Sequence, residues 1–68
     1  MKMEVGDLVR DINPVRKGNK YNTLAVITGF DGDGDLYLRY INPSPVIEQR
    51  GGETVDYKSN WKVLNENR

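Results

Sequence analysis

The 68-residue chain contains no cysteine and no histidine. The first absence excludes a disulfide scaffold and any zinc–cysteine centre. The second removes most remaining transition-metal chemistry and the usual nucleophile–base pairs. No run approaches the roughly 20 apolar residues of a membrane-spanning helix, and no apolar segment follows Met1 in the manner of a signal peptide. A surplus of one charge is also missing, because ten Lys plus Arg balance ten Asp plus Glu. Nucleic-acid binders usually carry a basic excess, since phosphate neutralisation supplies much of their affinity. A chain this short hides only about 60% of the surface that its unfolded form exposes. With no covalent or metal staple, its core must be complete.

What is there reads as short strands cut by Gly and Pro. Val5 to Arg10 is a short apolar run entered by a Gly6-Asp7 turn. Asp11 to Asn22 is a long polar loop holding Pro14, Gly18 and three Asn, a turn-favouring composition. Thr23 to Phe30 is β-branched and apolar, as a buried strand requires. Two Asp-Gly pairs then fall in tandem from Asp31, a strong hairpin signal. Leu36 to Ile41 alternates, with Leu36, Leu38 and Tyr40 on one face and Tyr37, Arg39 and Ile41 on the other. Asn42-Pro43-Ser44-Pro45 breaks that strand. Val46 to Gln49 is expected to pair with Glu53 to Tyr57 across Arg50-Gly51-Gly52. Ser59-Asn60 suggests a tight or 3-10 turn before a last strand, Trp61 to Leu64. Helix is nearly excluded, because no long window keeps helical apolar spacing free of Gly and Pro.

The expectation is an all-β, five-stranded antiparallel barrel over residues 1–64, with a frayed tail at 65–68. The expected inward set is Val5, Leu8, Val9, Ile12, Ala25, Ile27, Phe30, Leu36, Leu38, Tyr40, Val55, Trp61, Val63 and Leu64. Gly29 is read as a bulge that switches the inward phase from Ile27 to Phe30.

The runs VGDLVR (Val5 to Arg10), AVITGFDGDGDLYLRY (Ala25 to Tyr40) and SNWKVL (Ser59 to Leu64) resemble the SH3-like barrel superfamily. Gly6-Asp7-Leu8-Val9, followed by an apolar strand, a Gly, an acidic turn and a second apolar strand, is similar to the KOW-type barrels of transcription and translation factors. The Trp-x-Val-Leu close resembles small bacteriophage proteins of this fold. Two features depart from the KOW pattern: Ala25 stands where a Gly usually opens the second strand, and the basic surplus of ribosomal examples is absent. The resemblance implies a barrel, a viral accessory role, and residence in the host cytoplasm or on a virion.

Four constellations bear on function. Asp31, Asp33 and Asp35 have the spacing that opens an EF-hand loop, but Leu36 replaces the required Gly and Asn42 the required Glu, so no metal site is assigned. Arg10, Arg16, Lys17 and Lys20 with Tyr21 offer cations and a ring in and beside the first loop, a candidate nucleic-acid surface. The outward Tyr37, Arg39 and Ile41, with Tyr57 and Val46, form a candidate protein-binding surface. The Asn42 to Gly52 insertion carries Ile41, Val46 and Ile47 at or within it, for a partner contact, for self-association through an added edge strand, or for the core itself. Trp61 is read as a core plug.

No catalytic constellation is legible. Ser44, Ser59, Thr23, Thr28 and Thr54 lack an activating base, no buried carboxylate pair is evident, and a deep pocket is not expected. The sequence reading is a non-enzymatic interaction module without cofactor, membrane contact or small-molecule substrate. Its protein partner or self-association is the first expectation and nucleic acid the alternative.

Overall fold

The computed structural model describes residues 2–64; the expected frayed tail lies outside them. Five strands follow one another: β1 (Leu8–Asp11), β2 (Leu24–Phe30), β3 (Asp35–Tyr40), β4 (Glu53–Tyr57) and β5 (Trp61–Val63). They form one antiparallel sheet in the order β4-β3-β2-β1-β5. The first four strands meander, and β5 returns to the free side of β1. The ladder does not close on itself, so β4 and β5 are its edges. One 3-10 turn, Lys58–Asn60, carries the chain from one edge to the other.

The second Asp-Gly pair makes the β2–β3 turn. Gly34 has φ +92°, a conformation that a Cβ penalises. Asp31 caps the turn, its carboxylate accepting from the Asp33 amide at 2.7 Å and its carbonyl from the Gly34 amide at 3.0 Å. The bulge is present: Ile27 pairs with Leu38 and Gly29 with Tyr37, leaving Thr28 as the extra residue. Ile27 and Phe30 therefore both face the side of Leu36 and Leu38. Phe30 lies at the hairpin end, however, and stays 46% exposed.

Val9, Ala25, Ile27, Leu36, Leu38, Trp61 and Val63 are the buried core, with Met3 and Tyr40 packed against it. Trp61 meets Tyr40 in a tilted ring pair, 6.1 Å between centroids. Five of the expected inward residues, Val5, Ile12, Phe30, Val55 and Leu64, are exposed instead, and Leu8 is half-buried. The period of two explains three of these corrections. Val9 and Val63 take the inward positions, so their neighbours Leu8 and Leu64 turn outward. Val55 opposes the outward Tyr37 and shares its face. Val5 lies in the turn before β1, and Ile12 in the irregular segment that follows it.

Val46 to Gln49 does not form the expected strand. Pro45–Gln49 is a short helix, α1, and β4 pairs with β3 alone. Ser44 caps α1 by accepting from the Ile47 amide, and Pro45 occupies the first turn, where its missing N–H costs nothing. Gly51 at φ +92° and Gly52 at φ +71° end it, the Gly52 amide returning to the Ile47 carbonyl at 2.9 Å.

Leu38 is fully buried on the central face. Leu38→Ala should therefore cost about 2–5 kcal/mol, the range for truncating a buried Leu. In a domain of marginal stability that loss appears as a large fall in Tm or as outright unfolding by circular dichroism.

Candidate functional site

The first loop is folded, not slack. Asn13 accepts from the Val15 amide at 2.9 Å and caps a 3-10 turn, Pro14–Arg16, while Asp11 accepts from the Asn13 amide at 2.9 Å. That turn aims Arg16 inward. One Arg16 terminal nitrogen donates to Asp56 Oδ2 at 2.9 Å, and Arg16 Nε sits 3.1 Å from Asp11 Oδ2, an ion pair without hydrogen-bond geometry. Arg16, expected to meet nucleic acid, is thus held in intramolecular ion pairs, with its side chain still partly exposed.

Asp56 is the centre of this network. Its carboxylate accepts from Arg16, from Trp61 Nε1 at 2.9 Å, from Asn60 Nδ2 at 2.9 Å and from the Tyr57 amide at 2.8 Å. Asn60 also accepts from Asn13 Nδ2 at 3.3 Å, and its carbonyl accepts from the Ile12 amide at 2.8 Å. Burial alone would raise the Asp56 carboxyl. The hydrogen bonds from Trp61, Arg16, the Tyr57 backbone and Asn60 together outweigh burial and hold it below the ordinary carboxylate range.

The far end of the loop is held by Asn42. Its Oδ1 accepts from the Thr23 and Leu24 amides at 3.1 Å each, and its Nδ2 donates to the Lys20 carbonyl at 3.0 Å and to Thr23 Oγ1 at 2.7 Å. Between these anchors the loop overhangs an open groove of about 850 Å³, bordered by β1 and β5 and lined in part by Arg10, Lys17, Lys62, Ile12 and Leu64. The groove is open to solvent and is not a deep pocket. Thr23 carries the one hydroxyl among the described lining residues, and it is occupied by Asn42. Lys20 lies over the Tyr21 ring, 5.1 Å from its centroid, so both belong to the loop but not to the lining.

The second surface is the outer face of β3 and β4. Tyr37 and Val55 are direct partners, and Tyr57 follows two residues on. Tyr57 is 67% exposed and Tyr37 44%. Tyr37 lies across Gly29, where a Cβ would meet its Cδ2 at 3.4 Å. Arg39 is paired with Glu53 at 2.9 Å in solvent. A hollow of about 380 Å³ lies here, lined by Thr28, Tyr37, Leu38, Glu53, Thr54 and Val55. Ile41, in the bend after β3, and Val46, on α1, are exposed but do not line it.

At the acidic hairpin, the Asp31 carboxylate is used to cap the turn, and no cluster of three metal-ligating side chains occurs among the described residues. No described helix is long and apolar enough to cross a membrane. Sequence reasoning missed Lys62, Asn42 and Asp56. Asn42 was legible only as part of a strand-breaking Asn-Pro pair, and nothing local signals the other two. Compared with protein-family models, curated proteins and solved structures, the chain matches none.

An unfolded Asp titrates near 3.8 and the folded Asp56 lower. Its contribution is therefore complete above the unfolded value and is lost as pH falls through the folded one. Asp56→Asn should destabilise the domain at pH 7 by about 1–3 kcal/mol, the range for donors losing a charged partner. Thermal unfolding at pH 7 and below about pH 4 should show the gap to wild type narrowing in acid.

Proposed function

We propose that the chain is a non-enzymatic SH3-like binding module, a bacteriophage accessory protein, that acts by contact with another protein through the outer face of β3 and β4. One observation carries this reading: Tyr37 on β3 and Val55 and Tyr57 on the edge strand β4 stand exposed together beside a hollow. Tyr is an efficient contact residue, with large area and few rotors, and is enriched at binding hot spots. The Arg39–Glu53 pair cancels its own charge, so the surface favours an apolar or aromatic partner over a highly charged one. An edge strand also takes an added extended segment by backbone pairing, with side chains entering adjacent hollows. The barrel reading is supported by the β1–β5 pairing and by the Asp56 bonds to Trp61 and Asn60, which draw the two sheet edges together. The viral reading is supported by the sequence resemblance alone.

A second reading, a KOW-like nucleic-acid-binding protein, is favoured by the exposure of Arg10, Lys17, Lys20 and Tyr21 around the first loop. Arg16 no longer belongs to that set.

Photo-crosslinking in the cell that makes the protein tests the first reading. With Tyr37→p-benzoylphenylalanine or Tyr57→p-benzoylphenylalanine, a single adduct with one defined protein or a second copy is expected, and none from the same group at Lys58. Yields at positions 37 and 57 no higher than at 58 would overturn the assignment. Tyr57→Ser, an exposed change within about 0.5 kcal/mol of wild-type stability, should abolish the adduct formed from position 37.

A further inference from the structure

We propose that Arg10, Lys62 and Lys17 form a site for a single-stranded nucleic-acid segment, seated in the groove between the first loop and the outer face of β1 and β5. The inference rests on the second reading above and gives it a location and a ligand form.

Arg10 and Lys62 are direct partners in the β1–β5 register, and both are exposed. Like charges directly opposite on neighbouring strands repel and lower stability. Neither makes a salt bridge with a described acidic residue. On its other side Arg10 faces Leu24 of β2. A lysine on an edge strand discourages aggregation, which accounts for Lys62 on β5. It does not account for an arginine set against it on an interior strand. An anion bound between the two relieves the repulsion, and Lys17 joins them on the groove wall.

The zero net charge of the chain does not cancel this field. Arg16 with Asp11 and Asp56 forms a trio of net charge −1, against which Arg10, Lys17 and Lys62 stand as the groove's three unpaired cations among the described residues, so the surplus there is positive. The Asp31, Asp33 and Asp35 carboxylates lie beyond the opposite end of β2, since Leu24 pairs with Arg10 while Phe30 borders the acidic turn. Six residue steps of about 3.3 Å separate the two ends by about 20 Å. That exceeds two Debye lengths of about 8 Å at physiological salt. The groove is therefore locally cationic on a neutral molecule.

The lining favours a nucleic acid over an acidic peptide. Ile12 and Leu64 supply apolar surface beside the cations. Outside the lining itself, Tyr21 stands exposed in the same loop, between the groove-lining Asn19 and Thr23, with Lys20 over its ring, where a strand leaving the groove would reach it. Cations for phosphates together with a ring for a base are the two elements of single-strand recognition.

Fluorescence anisotropy with the full chain tests this, using labelled single-stranded DNA and RNA, duplex DNA and polyglutamate between about 50 and 200 mM salt. Single strands are expected to bind best, with a log–log salt slope of about −2 for three phosphate contacts. The double variant Arg10→Gln/Lys62→Gln should bind at least about tenfold more weakly, with Tm unchanged or raised because the repulsion is gone. Tyr21→Leu should weaken oligonucleotide binding and leave polyglutamate untouched. Full-strength binding by the double variant would overturn the groove site while sparing the loop-based reading. No binding of any oligonucleotide at low salt would overturn both. Tighter binding of polyglutamate, or of duplex, than of single strands would overturn the ligand assignment.

Discussion

One carboxylate joins what the backbone leaves apart. A four-stranded meander with β5 returned beside β1 ends in two open edges, and open edges invite intermolecular pairing. Asp56 stands on one edge strand, and its oxygens collect the indole N–H of Trp61 from the other edge, the Asn60 amide from the connecting turn, and the Arg16 guanidinium from the first loop. The same indole is the largest side chain of the buried core. Polar satisfaction and apolar burial thus converge on one pair of residues. Removing Asp56 would leave the buried Trp61 indole N–H without its acceptor, whereas removing Trp61 would leave Asp56 with its three other donors but open the core.

That arrangement sorts the charged residues by role. Arg16 and Asp11 belong to the network and hold the first loop against the sheet. Arg39 and Glu53 satisfy each other in solvent, where such pairs contribute little. Arg10, Lys17 and Lys62 remain outside any described pair. The neutral total hides this division, because attraction and repulsion depend on spacing and not on the sum.

Local signals were legible and distant ones were not. The β2–β3 hairpin could be read because its β-branched strand, its Asp-Gly turn and its alternating return are contiguous. The bulge at Thr28 and the 3-10 turn before Trp61 were also announced, by Gly29 and by Ser59-Asn60. The α1 helix was missed although Ser44-Pro45 marks a helix start, since five residues are too few to display a helical period. The inward phases of β1 and β5 were blurred because adjacent apolar residues, Leu8 with Val9 and Val63 with Leu64, compete for one face, and only pairing decides. The hub at Asp56 could not be seen at all: its partner Arg16 lies 40 residues away.

The return of β5 to β1 has a topological consequence. Val9 pairs with Val63, and the Leu64 amide donates to the Leu8 carbonyl at 2.9 Å. The outermost strands in chain order are therefore immediate neighbours, so a short linker suffices to connect them. Opening the chain instead at the solvent-exposed Gly32-Asp33 tip would preserve every ladder except the hairpin turn itself. The architecture is in that sense cyclic, and a circularly permuted chain that begins at β3 retains the same sheet.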